Sequence, residues 1–388
     1  MTRIILILFL YLFSSLITNE AQWGKTDNND YAYKEILVDN RIKPEDQITE
    51  LFSIEKIIPL ESTENAYFKY IRNLKIRNDT IYILGDKTVI VFNKNGEFIK
   101  TIGVKGRGPD ELILPMDFTL VPNRSELMIW DSNRNQLTQY TFHGKITLRK
   151  HPPVKYIQQA QYIRSSFFLL FTYLEQFDAD VSYSVYGYNT KQNTTSGLIN
   201  FPKLKSSLKL MDYNYLSVFN NRYYVRLPVN DTIYQLNKDN ELNPEYVIKF
   251  KKDNSKLPVP QSRNPSYVKA LLLNEGKCLL NNFEEFEDYY FLIYERYDEK
   301  FIHLIGKHSD IQKRYLINTK DDMFGSCIPT VRYGDSLVGV IKPQVLLQYD
   351  YLHLDEQHIN KNMINSILSN LNAEDNQLLV FFKINKDL

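Results

Sequence analysis

Two cysteines in 388 residues are too few for a disulfide-dense scaffold or a four-cysteine zinc site. An excess of one charge is equally missing, since 47 basic residues face 46 acidic ones for a net charge of +1. No nucleic-acid partner is expected, because counterion release needs Lys and Arg in excess on one surface. Glycine is scarce at 14 residues. With 43% hydrophobic and 24% charged side chains, the chain is too polar for a membrane bundle and long enough to bury a large core. The long apolar run at the N terminus, from Ile4 to Phe13, is extended by Ser14-Ser15-Leu16-Ile17. It falls short of the ~20 residues that span a bilayer as a helix. Arg3 ahead of it and a small residue, Ala21, behind it fit a secretory signal over 1–21. Export to the periplasm or cell exterior is therefore expected, with membrane attachment only through an uncleaved signal. Cys278 and Cys327 read as two buried thiols, with a disulfide between them in an oxidising compartment as the alternative.

Aromatics are what the chain has in abundance: 28 Tyr and 22 Phe, a composition that favours strands. From Tyr70 onward, short β-type runs alternate with Asn, Asp and Gly turns. Ile71–Ile76, Thr80–Leu84, Val89–Asn93 and Phe98–Gly103 form one four-stranded unit, with Asn95-Gly96 as its strongest hairpin signal. Asp117–Val121, Glu126–Asp131, Leu137–Phe142 and Lys145–Arg149 repeat the plan, with His143-Gly144 where Asn95-Gly96 stood. Successive four-stranded meanders are the blades of a propeller. Further units are read over Tyr156–Asn200, Tyr215–Phe250 and Lys277–Ile317, and a last one begins at Cys327. Asn230-Asp231-Thr232-Ile233-Tyr234 echoes Asn78-Asp79-Thr80-Ile81-Tyr82 and is the best internal repeat. Helices are expected over Ser266–Leu273 and His358–Leu371. The last unit shows only three strands, and Ser53–Leu60 is expected to supply its outermost one, closing the ring and removing open edges. The expected architecture is all-β: residues 22–51 as a linker, then a six-bladed propeller of four-stranded antiparallel blades over 52–388, at about 55 residues per blade.

Several segments carry a family resemblance: Ile57-Ile58-Pro59-Leu60-Glu61-Ser62, Val91 to Ile99, Asn230 to Leu236, and above all Ile102-Gly103-Val104-Lys105-Gly106-Arg107-Gly108-Pro109-Asp110-Glu111. Together they resemble the exported bacterial six-bladed β-propellers, relatives of the NHL-repeat propellers. The resemblance implies export and a propeller, and no agreed activity. Many such proteins carry a lipid-anchoring Cys after the signal, and this chain has none there.

Gly103, Gly106 and Gly108 do not open a helix, as a phosphate-cradling loop would require. They are expected to give positive φ between one blade and the next, with Pro109 stiffening the turn. Arg107, Asp110 and Glu111 on that loop are the candidate binding residues, at the rim. His353, Asp355, Glu356 and His358 have the wrong spacing for a shared metal site on regular structure. Gly334 to Gly339 has one residue too many for a nucleophile elbow. Glu284-Glu285 and Glu287-Asp288 read as a solvated acidic loop. The function expected is a monomeric extracytoplasmic binding or scaffold module for a glycan, peptide or protein, with no catalytic residues, cofactor or metal assigned. The alternative is a lactonase-like hydrolase or lyase holding a divalent cation such as calcium at the channel mouth, with Asp117, Asn214 and Asn281 as candidates.

Overall fold

In a computed structural model, residues 33–45, 51–86, 88–172, 183–200, 215–227, 230–253, 272–317, 327–348 and 361–385 are described. The chain begins with β1 (Lys34–Val38) and β2 (Phe52–Pro59), both of which join blades formed much later. Blade one is β3 (Asn73–Arg77), β4 (Thr80–Leu84), β5 (Val89–Phe92) and β6 (Phe98–Ile102). Blade two is β7 (Pro115–Leu120), β8 (Glu126–Asp131), β9 (Gln136–Thr141) and β10 (Ile146–Lys150). Blade three is β11 (Ile157–Arg164), β12 (Phe167–Thr172), β13 (Tyr183–Asn189) and β14 (Thr194–Asn200). Blade four contains β15 (Leu216–Phe219), β16 (Arg222–Arg226), β17 (Thr232–Leu236) and β18 (Leu242–Phe250). Blade five contains β19 (Leu279–Glu285), β20 (Tyr289–Arg296), β21 (Glu299–Gly306) and β22 (Gln312–Leu316). Blade six contains β23 (Val331–Tyr333), β24 (Ser336–Ile341) and β25 (Leu378–Ile384), with α1 (Pro343–Gln348) and α2 (Lys361–Leu368) between the last two.

The turns follow from residues that tolerate a left-handed backbone. Asn78 and Asp79 have φ of 48° and 58° between β3 and β4, and Asn220 and Asn221 have 47° and 60° between β15 and β16. Two consecutive positive values match the right-handed twist of the flanking strands. Gly96 and Gly144, at 85° and 83°, make the turns between the third and fourth strands of blades one and two. The repeat read at Asn230–Tyr234 does not hold structurally: Thr80 starts the second strand of its blade, whereas Thr232 starts the third. Asn220-Asn221 is the true counterpart of Asn78-Asp79, because both pairs join an inner strand to its neighbour.

The ring closes as expected. β2 pairs antiparallel with β25, from Phe52↔Ile384 to Pro59↔Leu378, and forms the outer edge of blade six. The segment read as a linker does more than connect. β1 pairs in parallel with β18 and gives blade four a fifth strand. Its alternation explains this, since Ile36 and Val38 are buried while Lys34, Glu35 and Leu37 face out. Beyond it, Glu45 bridges to Tyr315 of blade five, so this segment straps two blades together.

Most of the core lies between blades, where rings from adjacent sheets meet. Tyr246 of blade four lies 5.6 Å from Phe283 and 5.4 Å from Tyr290 of blade five, and Phe52 of blade six lies 6.1 Å from Phe291. Phe171 of blade three stacks on Tyr215 at 5.4 Å. The aromatic excess is thus largely blade-to-blade packing, which large rings do well because each buries so much area. Cys278 and Cys327 form no disulfide with each other, and both are buried. The helix expected over Ser266–Leu273 lies outside the described residues except for Leu272 and Leu273.

Candidate functional site

The loop from Gly103 to Leu114 carries the chain from the outer strand of blade one to the inner strand of blade two. Of its three glycines, only Gly103 has positive φ, at 82°. Gly106 and Gly108 serve a different need, which is space for the Glu111 carboxylate. A Cβ at Gly106 would lie 1.8 Å from Glu111 Oε2, and one at Gly108 would lie 3.1 Å from its Cδ. Glu111 folds back to accept the Gly108 N–H at 2.7 Å. The loop closes on itself where Gly106 donates to the Leu112 carbonyl at 2.9 Å and Leu112 donates to that of Val104 at 2.7 Å.

Asp131, at the end of β8, anchors this loop from below. Its wholly buried carboxylate accepts the amides of Ile113 at 2.6 Å, Leu114 at 3.2 Å, Asn133 at 3.1 Å and Arg134 at 3.3 Å. Arg134 donates onward to the carbonyls of Gly108 at 2.6 Å and Arg107 at 3.3 Å. The three candidate residues therefore differ in situation. Glu111 is turned into the loop, Arg107 and Pro109 are exposed, and Asp110 reaches outward to pair with Arg149 of β10. That pair sits in a groove of about 580 Å³ running along the outer wall between blades one and two. Thr101, Gly103, Val104, Tyr140, Gly144 and Ile146 complete its lining.

Near the axis the first three blades are tied by a polar ladder. Asn73, Asp117 and Gln161 occupy matching places on β3, β7 and β11, each 44 residues from the next. This is shorter than the expected average of about 55. Asp117 Oδ1 accepts from Asn73 at 2.5 Å and from the Phe118 amide at 2.9 Å. Its Oδ2 accepts from Gln161 at 2.7 Å and from the Ala160 amide at 2.9 Å. Burial raises the Asp117 carboxyl above its usual range, and Lys75 acts against that. Lys75 itself donates to Gln161 Oε1 at 3.2 Å. Four N–H donors on one carboxylate make a clasp between blades, and they occupy the lone pairs that a cation would need.

The acidic stretch of blade five departs from the solvated loop expected of it. Glu287 and Asp288 are exposed in the turn, but Glu284 and Glu285 end the inner strand β19, each 2% exposed. Lys307 lies 2.8 Å from Glu285 Oε1, and Arg222 lies 3.9 Å from it. The Arg332 guanidinium is 4.9 Å from the Phe219 ring and 4.3 Å from the Phe286 ring, and it donates to the Glu285 carbonyl. These residues gather at the end of the ring opposite the Gly103–Leu114 loop. Burial pushes the Glu284 carboxyl up to about 8, against the pull of Arg332 and Arg226. Asn281 donates to Glu295 at 2.8 Å, while Asn214 and the His353–His358 cluster lie outside the described residues.

The family described as DUF4934, a domain of unknown function, matches residues 34–383. The chain belongs to that family. No curated protein matches it. A Bacteroides fragilis protein described as exported, known by crystal structure, is similar with 19% identity and a TM-score of 0.71, over 92% of this chain and 100% of that one. A DUF4221-family protein of Bacteroides vulgatus is similar with 13% identity and a TM-score of 0.58, over 86% and 98%. At these identities the likeness speaks to the fold, and that fold is the six-bladed propeller. Among the described residues of this DUF4934 chain, no helix is long and apolar enough to cross a membrane.

Proposed function

We propose that the protein is an exported recognition module, which holds a glycan, peptide or protein partner in the groove between blades one and two and performs no bond-making chemistry. One observation carries the reading. The Asp110–Arg149 pair stands in a groove whose other lining is mixed, with the Tyr140 ring beside Val104 and Ile146, on a loop that Asp131 holds rigidly. A few polar groups among apolar ones, placed on a fixed frame, suit selective binding. The cation-dependent alternative has less support, because Asp117 already accepts four N–H groups and Glu285 is paired with Lys307. Export is supported by the Arg3-led apolar segment and by the description of the Bacteroides fragilis protein as exported.

The test is a glycan and peptide array probed with the chain from residue 22 onward, beside the Asp110→Ala and Arg149→Glu variants. A retained ligand that both variants lose supports the groove. No retained ligand, or one kept equally by Arg149→Glu, sinks the reading. Fractionation of cells that finds the full-length chain in the cytoplasm would refute export.

A further inference from the structure

We propose that Asn282, Glu284 and Arg332, with Arg226 behind them, form a second binding site, near the axis, for the carboxylate group of a small organic acid. The geometry starts from register. Asn282 pairs with Ile293 and Glu284 with Phe291, and residues paired across a ladder share a face of the sheet. Ile293 and Phe291 belong to the core shared with blade six, alongside Phe52, Leu337 and Val380. Asn282 and Glu284 therefore stand on the inner strand of blade five, two residues apart, and face blade six, whose inner strand carries Arg332.

Both side chains are left without the partners that buried polar groups normally have. Asn282 is 4% exposed and its Nδ2 has no hydrogen-bond partner among the described residues. Glu284 is 2% exposed and makes no hydrogen bond or ion pair among the described residues. Arg332 uses Nε on the Gly334 carbonyl at 2.9 Å and Nη1 on the Glu285 carbonyl, which leaves Nη2 among the described residues. Arg226 uses Nη1 on the Leu280 carbonyl at 2.9 Å.

The chemistry of this set is one-sided. With its carboxyl pushed up to about 8 by burial, Glu284 is protonated near neutrality and donates its O–H. Asn282 offers N–H groups and Arg332 a charged N–H. Three donors and a positive charge call for an anionic acceptor. The neighbouring Glu285 is already answered by Lys307, and neither the neutral acid nor the amide adds charge. The site therefore suits one negative charge, a carboxylate, better than a phosphate dianion. Affinity should fall as pH rises through about 8, because an ionised Glu284 repels the ligand and no longer donates. The charged groups around it are Arg226 and Arg332, with Glu285 and Asp335 acting on Arg332.

The experiment is isothermal titration of the full chain with glutarate and D-glucuronate, and with inorganic phosphate as a separate arm. We expect saturable binding of at least one carboxylate, weakened about tenfold or more by Asn282→Leu and by Arg332→Gln. Glu284→Gln keeps a donor, so it should still bind but lose the decline between pH 6 and pH 9. Circular dichroism melts establish that each variant is folded, and Asn282→Leu carries the test if Arg332→Gln does not fold. Three results would overturn the proposal: no carboxylate binding, binding unchanged in Asn282→Leu, or phosphate bound more tightly than either acid. None of these bears on the outer groove, whose variants lie on blades one and two.

Discussion

Lys307 places its ammonium 2.8 Å from Oε1 of Glu285, a carboxylate 2% exposed, and donates at 3.0 Å to the Phe286 carbonyl. The pair ties the end of β19 to the residue that follows β21, where blades four, five and six converge. Removing one partner of a buried pair leaves an uncompensated charge, at a typical loss of about 3–5 kcal/mol. We expect Lys307→Met to lose stability on that scale in urea unfolding, and Lys307→Met with Glu285→Gln to recover most of it. Burial raises the Glu285 carboxyl, but the Lys307 bond and the Tyr224 hydroxyl outweigh burial and hold it below its ordinary value. A depressed carboxyl stabilises fully above its unfolded value of ~4.3, and that contribution is lost as pH falls through the folded value. Acid unfolding of the wild type should therefore be steeper below about pH 4 than that of the double variant.

Asp131 supports the groove without lining it. Four amides depend on its carboxylate, and two of them, Ile113 and Leu114, close the inter-blade loop. Hydrogen bonds to a charged acceptor are worth about 1.5–3 kcal/mol each, and buried donors left unmade add to the loss. Asp131→Ala should lower stability by about 3 kcal/mol in chemical denaturation and speed hydrogen exchange at residues 104–114. Exchange unchanged in that loop would show that Asp131 does not hold it.

Gly103 and Gly144 separate backbone strain from crowding. Both have φ near 83°, but a Cβ at Gly103 meets Leu112 Cδ1 at 2.6 Å whereas one at Gly144 meets nothing within 4 Å. Gly144→Ala should cost about 1–2 kcal/mol for the left-handed backbone alone. Gly103→Ala should cost more, since Leu112 must also move. Equal losses in the two thermal melts would mean that the loop yields freely.

Local chemistry explains which features were legible in the sequence. Asn95-Gly96 and His143-Gly144 announce hairpins because the backbone there needs positive φ, and the Ile-rich run near Ile57 announces a strand because its partner, β25, is equally apolar. Glu284-Glu285 misled for a related reason. Acidic residues beside Asn281 and Asn282 look solvated when only their neighbours are weighed. Their burial comes from Arg222, Lys307 and Arg332, which lie 63, 22 and 47 residues from Glu285 and meet it only when the ring is closed. The ladder of Asn73, Asp117 and Gln161 had a signal of its own, a constant spacing of 44 residues, but one polar residue per strand is too sparse to stand out.

Glu284 gives the sharpest pH prediction. Its carboxyl is raised to about 8 by burial, so the folded chain keeps a proton that the unfolded chain has released between ~4.3 and about 8. Where the folded state binds more protons, stability falls as pH rises. The contribution is level below ~4.3, declines across the window and is level again above about 8. Glu284→Gln removes the titration while keeping the shape and one donor. The difference in melting temperature between variant and wild type should therefore grow from pH 5 to pH 9 in favour of the variant, by a few degrees. A constant difference across that range would mean that Glu284 titrates normally and that burial does not raise its carboxyl.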